Sequence, residues 1–383
     1  MLPIALKSFH IKNYRGIIDT QIDNIPPDTQ WIFLTGENGF GKTSVLQALA
    51  SAISLEKSEI DKVAFSLNTK TGIIPEYPFE KVHDNKYFDN FSEMYGGTLS
   101  YYGSQLIAYG STRLRVSAGS TQEVTEKYSS IDSLFSNDTL LINVEEYLKD
   151  WNINYQRGYS DFETVFKSLI PRLHSIVTKF EEKDKKSKVR YFEMDTKGNI
   201  HEEGMEFLDL AAGYKNILAM VGDMIIRLTL AQPYGVFKEL EGIVLIDEID
   251  LHLHPKYQKL FVQKLTELFP KIQFIVSTHS PIPLLGAPSN SVIINVSRTR
   301  EEGIKAELLD IDFSVLTPNA ILSSPIFGFQ DLIPESKSDD KMVRSEDTFQ
   351  EVEFNDQLKK NINEFLTEDK QKELLDLLKI KAL

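Results

Sequence analysis

The chain has 383 residues, of which 26% are charged and 42% hydrophobic, and this composition is typical of a globular protein rather than a disordered or fibrous one. Its formal net charge of −14 excludes a protein-wide basic field for nucleic acid, although a local basic groove remains compatible with it. The absence of cysteine excludes disulfides, thiolate catalysis and cysteine-ligated zinc, and it suits a reducing compartment. Since we find neither a secretory leader nor an uninterrupted apolar span, we expect a cytoplasmic location and no membrane partner.

The first part of the chain is predicted to consist of strands followed by a helix. Alternating polar and apolar residues over 4–25 predict paired strands, and WIFLT at 31–35 predicts a short buried strand. A helix is expected from Lys42 to about Ser54. The polar segment that follows, 55–98, is interpreted as an insertion or lobe, and strand character returns at 103–116.

The middle of the chain is predicted to be helical and then to form a hairpin. Apolar residues at spacings of three and four predict helices between about 139 and 188, ended by the charge run EEKDKKSK. The sequence VRYFEMDTKGNIHEE predicts a hairpin that turns at Lys197 and Gly198.

After the hairpin, strands and helices alternate, which predicts a parallel α/β sheet. The predicted elements are a helix at about 213–231, a strand at 242–247, a helix at about 255–268, a strand at 273–278 and a last strand near 291–296. Beyond them we expect an acidic linker at 334–354 and a C-terminal helical tail at 355–383.

The segment LTGENGFGKTSVLQALA at 34–50 matches the phosphate-loop pattern G-x-x-x-x-G-K-[ST] through Gly36, Gly41, Lys42 and Thr43. Glycines let backbone N–H groups close around phosphate oxygens, and the helix N-terminus adds partial positive charge there. Lys42 is expected to reach the β- and γ-phosphates, and Thr43 to offer its hydroxyl to Mg²⁺. A glycine-rich turn that contains GKT by chance is the alternative, which the flanking strand and helix disfavour. The residues expected to bind ATP here are Glu37, Asn38, Gly39, Phe40, Gly41, Lys42, Thr43 and Ser44.

A second segment, GIVLIDEIDLHLHP at 242–255, supplies the carboxylates that a phosphate loop needs. Its apolar residues predict a buried strand, so Asp247 emerges at the strand end, where it can hold Mg²⁺. Glu248 follows directly and can polarise the water that attacks the γ-phosphate. An edge strand that ends in solvated acids is the alternative, and the presence of the phosphate loop disfavours it.

The next predicted strand ends in VSTHSP and places His279 at its carboxyl end, where open parallel sheets gather ligands. This position favours contact with the γ-phosphate or the attacking water, although a lone histidine is more often structural. Between the two strands, His252 and His254 suggest a metal site, but two histidines without a nearby third ligand are weak evidence for zinc.

These motifs together resemble those of the ABC-type P-loop ATPases of the SMC, RecF and OLD superfamily. The similarity is greatest to a compact bacterial branch that carries DEIDLHLHP and FPKIQFIVSTHSP, here at 247–255 and 269–281. The resemblance covers about residues 4–300. It implies an α/β fold with an N-terminal antiparallel β subdomain, a parallel core sheet flanked by helices and an inserted helical or lid lobe at about 55–200, all within an ATPase domain of residues 1–333.

The resemblance also implies residue roles. By similarity, Gly36–Ser44 is the Walker A loop, Asp247 and Glu248 are the Walker B pair, Asp250 begins the D-loop, and His279 is the switch histidine. Lys42, Glu248 and His279 are thus expected to be catalytic, Thr43 and Asp247 to hold the metal, and Asp250 to contact the nucleotide.

The segment LAAGYKNIL at 210–218 occupies the place of the family's signature sequence, which implies a head-to-head homodimer or higher homo-oligomer with ATP sandwiched between subunits. Gly213 is expected to contact the partner's nucleotide. Ala211 and Ala212 replace the usual serine and its neighbour, so a hydroxyl contact to the γ-phosphate is lost and hydrolysis is expected to be slow.

Four further residues are singled out by similarity alone. The segment AYGSTR at 108–113 resembles the region near the lid and the metal-coordinating glutamine, which draws attention to Gln105 and Arg113. Tyr14 and Arg15, after the first strand, are candidates for approach to the nucleotide, with a charged strand end as the equal alternative.

The resemblance implies an ATPase that acts as an oligomeric sensor or scaffold and controls an effector, a nuclease or toxin from the same operon, in anti-phage defence of the Septu, retron or PARIS type. We expect that the chain is not a transporter, because no membrane span is found. We also expect neither the long heptad arm of a chromosome-organising ATPase nor a C-terminal nuclease domain. The alternatives are a RecF- or SMC-like repair ATPase that clamps DNA and an ATP-binding scaffold that hardly hydrolyses.

Overall fold

The computed structural model describes residues 2–54, 62–76, 85–113, 121–182, 186–195, 197–201, 203–232 and 236–309. The predicted linker at 334–354 and the tail at 355–383 lie outside these residues and stay predictions. In chain order the strands are β1 (Ile4–Tyr14), β2 (Ile17–Ile22), β3 (Trp31–Thr35), β4 (Val63–Thr69), β5 (Gly72–Ile74), β6 (Leu106–Tyr109), β7 (Leu173–Glu181), β8 (Lys186–Glu193), β9 (Gly242–Ile246), β10 (Ile272–Ser277), β11 (Val292–Thr299) and β12 (Gly303–Leu309). The helices are α1 (Lys42–Ser54), α2 (Asn85–Gly103), α3 (Thr121–Lys127), α4 (Val144–Asn154), α5 (Gln156–Leu169), α6 (Ala212–Ala231) and α7 (Pro255–Leu268).

Ten of the described strands form one mixed sheet in the order β5-β4-β1-β2-β12-β11-β3-β10-β9-β6. Pairing is antiparallel from β5 to β11, and parallel from β11 through β3, β10 and β9 to β6. The remaining strands, β7 and β8, pair antiparallel in a separate hairpin. The predicted α/β fold, with an N-terminal antiparallel part and a parallel core, is confirmed.

The parallel half brings three strand ends together at one edge. In the register, Ser277 of β10 lies beside Leu34 of β3, and Val276 lies beside Ile246 of β9. The carboxyl ends of the three strands are therefore adjacent, and the segments that follow them start from neighbouring positions. This edge is where an open parallel sheet gathers ligands.

Helix α1 anchors the phosphate loop to both halves of the sheet. It contacts β1 and β4 of the antiparallel part and β6, β9 and β10 of the parallel part. Residues 45–53 are buried throughout, and alanines at 48, 50 and 52 let the helix approach the strands closely. Because α1 packs against strands on several sides, the end of the loop that leads into it is held in a fixed position.

The segment 55–98, interpreted as an insertion or lobe, contains β4 and β5, which belong to the main sheet. The strand expected within 103–116 is confirmed as β6. The bounds of the insertion at about 55–200 stay a prediction. The helix expected near 173–181 is wrong, because these residues form β7, which pairs with β8. β12, which follows the last predicted strand, was missed.

The predicted turn at Lys197 and Gly198 lies next to β8. Gly198 has a φ of 86°, and its N–H donates to the Asp195 carbonyl. The main partner of β8 is β7, however, rather than the residues after the turn. Within the described parts of the chain, no helix is both long and apolar enough to cross a bilayer.

Candidate functional site

The loop between β3 and α1 depends on glycine for its backbone path. Gly36 has a φ of 130°, and a Cβ there would lie 2.1 Å from the Val296 carbonyl oxygen on β11. Gly39 has a φ of 79°, but a Cβ at that position would meet nothing within 4 Å. Gly36 is therefore required by both space and conformation, and Gly39 by conformation alone. Glu37, Asn38 and Gly39 are exposed, so this part of the loop is accessible from solvent.

Lys42 folds back over this loop. Its Nζ donates to the carbonyl oxygens of Gly36 at 2.7 Å and Glu37 at 2.9 Å, and lies 3.2 Å from Nδ1 of His279. Burial lowers the pKa of Lys42 to about 8, and the carboxylates of Asp247, Glu248 and Asp250 oppose that fall. The ammonium group therefore lies at the loop, and its pKa of about 8 is close to neutral pH.

Thr43 meets Asp247 across the site. The Thr43 hydroxyl donates to Oδ2 of Asp247 at 2.8 Å, and the hydroxyl of Ser277 donates to Oδ1 at 2.6 Å. Asp247 is only 6% exposed, so two hydroxyls fix its carboxylate in a largely dry position. A hydroxyl and a carboxylate oxygen are oxygen ligands of the kind that Mg²⁺ takes, with phosphate and water completing its shell. These two residues fit the predicted metal site.

Glu248 and His279 lie beside Lys42. Oε1 of Glu248 is 4.0 Å from Nε2 of His279. Burial and the neighbouring Lys42 lower the pKa of His279, so the imidazole is neutral at pH 7 and can accept or relay a hydrogen bond. Glu248 has a φ of 52°, a left-handed conformation that costs a non-glycine residue about 1–2 kcal/mol. Strain of this kind persists only where the surroundings enforce it.

The segment after Glu248 is fixed by the end of β10. The Thr278 hydroxyl donates to Oδ1 of Asp250 at 2.7 Å, and the Ser277 hydroxyl accepts from the Glu248 N–H at 2.7 Å. Asp250 is therefore oriented by the residue that precedes His279. Its side chain is held by protein contacts, and a role toward nucleotide stays a prediction.

The predicted signature segment begins α6. Ala211 precedes the helix and offers no side-chain hydrogen bond to the free N–H groups of its first turn. A Cβ on Gly213 would lie 2.8 Å from the His252 carbonyl oxygen, so the helix start packs closely on the segment after Asp250. Leu208, just before the helix, is 79% exposed. The helix N-terminus is thus uncapped and borders an exposed apolar side chain.

The residues suggested by similarity alone have different surroundings. The Gln105 carbonyl accepts from the Ile243 N–H at the start of β9, whereas Asp247 follows the end of that strand. Gln105 therefore lies at the opposite end of these strands from the expected metal site, in disagreement with its assignment as a metal ligand. Tyr14 is buried, and Nη1 of Arg15 donates to Oε1 of Gln47 on α1 at 2.6 Å. Arg15 thus lies beside the helix that follows the phosphate loop.

Sequence reasoning missed several residues that shape the site. Ser277 and Thr278 orient the two aspartates, and their place in VSTHSP, directly before His279, was the available signal. Asn216 on α6 accepts a hydrogen bond from the Arg113 side chain, a contact without any sequence pattern. As to zinc, the described residues include no cluster of three or more His, Asp or Glu side chains that could hold a metal ion.

Comparison with known proteins finds a family model and several relatives that are similar to parts of this chain. A family model described as "AAA domain, putative AbiEii toxin, Type IV TA system" matches residues 223–283, which include β9 and β10. The Septu protein PtuA of Bacillus mycoides (strain KBAB4) is 29% identical over 358 residues, 86% of this chain and 46% of that protein. The Retron Vc95 probable ATPase of Vibrio cholerae serotype O1 biovar El Tor is 43% identical over 119 residues, 30% of this chain and 21% of that protein.

A further relative is the Retron Ec83 probable ATPase of Escherichia coli, 51% identical over 78 residues, 20% of this chain and 14% of that protein. The matched regions thus span less than half the length of each of these relatives. Among solved structures, the SMC head bound to the C-winged helix domain of ScpA aligns with 81% of this chain and 98% of that chain, at 14% identity and a TM-score of 0.48.

Proposed function

We propose that this chain, which carries a P-loop ATPase domain similar to those of the Septu and retron proteins, binds Mg·ATP and hydrolyses it. The observation that carries this proposal is the 2.8 Å hydrogen bond between the Thr43 hydroxyl and Asp247, because it unites the two halves of a magnesium nucleotide site. Phosphate-loop ATPases hold their metal with this pair of residue types. The similarity of the chain to the two retron ATPases supports the same activity.

The side chains around this hydrogen bond have separate roles in phosphoryl transfer. Lys42 leaves its two carbonyl partners and neutralises charge on the β- and γ-phosphates. Glu248, with its carboxylate at the open side of the site, accepts a proton from the attacking water. His279, neutral and between these two, orients that water or donates to the γ-phosphate. Mg²⁺, held by Thr43 and Asp247, would supply charge neutralisation between the phosphates.

We further propose that two copies of the chain close around ATP. The start of α6 supports this arrangement, since its N–H groups lack a side-chain cap and helix N-termini bind anions. Gly213, packed against the His252 carbonyl, keeps the helix start near the segment that follows Asp247 and Glu248. Leu208, at 79% exposure, would be covered in such a dimer. The lack of a hydroxyl at Ala211 fits slow hydrolysis.

The biological role that we propose is control of an effector protein in bacterial anti-phage defence, with ATP binding and oligomerisation as the switch. This part rests on the similarity to Septu PtuA and to the retron ATPases. The effector, a nuclease or toxin encoded nearby, would supply the damaging chemistry. A cytoplasmic location follows from that role.

The activity is tested by a turnover assay on the purified chain with Mg·ATP, with EDTA as the matched control. Release of phosphate that stops on metal removal supports the proposal, and absence of release together with absence of binding overturns it. The role is tested by co-expression with the neighbouring genes, purification through a tag on this chain, and identification of what stays bound. A retained nuclease or toxin supports defence. Retention of duplex DNA alone, with a steep salt dependence, favours the repair alternative.

A further inference from the structure

Arg113 is a buried cation to which the proposed reaction assigns no role. It lies in the turn after β6 and is 1% exposed. Its guanidinium donates to one side chain, Oδ1 of Asn216 at 2.9 Å, and to three backbone carbonyl oxygens, those of Gly110 at 3.0 Å, Asp247 at 2.5 Å and Glu248 at 2.6 Å. Burial lowers the pKa of Arg113 to about 10, so it remains protonated at neutral pH. The buried positive charge of Arg113 therefore binds three backbone carbonyl groups and holds them in place.

Two of these carbonyls belong to consecutive residues, Asp247, the proposed metal ligand, and Glu248, the proposed base. Glu248 has a φ of 52°, and the structure holds the peptide groups on both sides of its Cα. Its N–H donates to the Ser277 hydroxyl, and its carbonyl accepts from Nη2 of Arg113. Because both flanking peptides are fixed, the direction in which the Glu248 side chain leaves the backbone is fixed as well.

We propose that Arg113 is a positioning residue for ATP hydrolysis, which holds the backbone of Asp247 and Glu248 so that the Glu248 carboxylate stays beside His279. This inference rests on the proposed function, because it assigns Arg113 a part in that reaction. Arg113 does not touch the reacting atoms. It acts through the two carbonyl groups that it binds.

Asn216 extends this arrangement to α6. It is 2% exposed, and while its Oδ1 accepts from Arg113, its Nδ2 donates to the Leu251 carbonyl at 3.0 Å. Two side chains thus join the turn after β6, the segment 247–251 and the first turns of α6. In the proposed dimer, the partner's nucleotide contacts the start of α6, so this pair would transmit that contact to Glu248.

The test compares Arg113→Lys with the wild type. Lysine keeps the charge but cannot reach several carbonyls with a rigid planar fork. We expect the kcat of ATP hydrolysis to fall at least tenfold, while the Kd for Mg·ATP changes less than threefold. In the Glu248→Gln background, Arg113→Lys should cause no further fall in the residual turnover, because the group that it positions is already absent.

Arg227→Lys is the matched control. Arg227 is also a largely buried arginine, but it pairs with Asp223 on its own helix at 2.9 Å rather than with the Asp247 and Glu248 backbone. Its substitution should leave kcat within twofold of the wild type. Asn216→Asp provides a second variant, since it keeps an acceptor for Arg113 but loses the donor to Leu251. It should lower kcat by less than Arg113→Lys.

Hydrogen–deuterium exchange of the nucleotide-free protein gives a readout that is independent of turnover. In Arg113→Lys, amides of the segment 247–251 should exchange faster, whereas those of β10 should keep the wild-type rate. Should Arg113→Lys not fold, the same measurements on Asn216→Asp decide the question.

An equal loss of turnover in the wild-type and Glu248→Gln backgrounds, or a loss of Mg·ATP affinity as large as the loss of kcat, would show that Arg113 serves stability alone. Unchanged kcat in both Arg113→Lys and Asn216→Asp would also overturn the inference. A wild type that binds and hydrolyses no ATP overturns the proposed function instead, so the two failures are distinguishable.

Discussion

Thr43 and Asp247 are separated by 204 positions in the sequence, yet the hydroxyl of the first donates a 2.8 Å hydrogen bond to the carboxylate of the second. If the pair holds Mg²⁺, Thr43→Val should weaken Mg·ATP binding about tenfold or more, equivalent to ~1.4 kcal/mol, because the isosteric side chain lacks the oxygen ligand. Binding of ATP in EDTA should not change. Calorimetric titration measures both affinities.

Thr43→Ser is the control for this substitution, since it keeps the hydroxyl and should keep the affinity within about threefold. Equal Mg·ATP affinities for the valine variant and the wild type would remove Thr43 from the metal site.

Glu248→Gln should separate binding from hydrolysis. The amide cannot accept a proton from water, so kcat should fall about 10²-fold or more, while Mg·ATP affinity stays close to that of the wild type. Glu267→Gln, at a side chain that is 62% exposed on α7, controls for the change of charge. Steady-state phosphate release is the measurement. Wild-type turnover in Glu248→Gln would exclude Glu248 as the base.

Much of this site could be predicted from the sequence because its motifs are local. The phosphate loop fixes β3 and α1 through glycines and a helix start, and both elements appear with the predicted bounds. The segment 173–181 was misread because its buried residues Leu173 and Ile176 are three apart, as on a helix. Its strand form depends on pairing with β8, which the local pattern does not contain.

The contacts that orient Asp247 and Glu248 were harder to predict for a related reason. Arg113 binds backbone carbonyls, and every residue has one, so no residue type marks its partners. Gln105 was considered because AYGSTR resembles the family's segment near the metal-coordinating glutamine, and that resemblance does not fix where Gln105 lies. A strand of four residues, β6, separates it from that end of the sheet.

The pKa of Lys42 predicts that nucleotide binding takes up protons. With a pKa of about 8, Lys42 is about half neutral at pH 8 in the free protein. A triphosphate raises that pKa, because negative charge favours the ammonium form, so about half a proton should be taken up per ATP at pH 8. Affinity should accordingly fall as the pH rises above 8. Calorimetry in buffers of different ionisation enthalpy gives the number of protons.

Lys42→Arg is the control, because the guanidinium stays charged over this range and its contribution to proton uptake should vanish. The same uptake by Lys42→Arg and by the wild type would assign those protons to another group.

Gly36 and Gly39 form a matched pair for the loop. Gly39→Ala should lower the free energy of unfolding by about 1–2 kcal/mol, because alanine is strained in the left-handed conformation even where its Cβ has room. Gly36→Ala should cost about 3 kcal/mol or more, since its Cβ would also lie 2.1 Å from the Val296 carbonyl oxygen. Denaturant unfolding of the two variants measures this difference. Equal losses of unfolding free energy would show that the loop at position 36 is not in tight contact with β11.

The most direct test of the whole account is calorimetric titration of the purified chain with ATP, in Mg²⁺ and in EDTA, for the wild type and for Lys42→Ala. We predict saturable binding at one site per chain in Mg²⁺, weakened about tenfold or more by EDTA and again by Lys42→Ala. Absence of saturable binding to the wild type, or the same affinity in Lys42→Ala, would contradict the assignment of residues 36–44 and 247 to a magnesium nucleotide site.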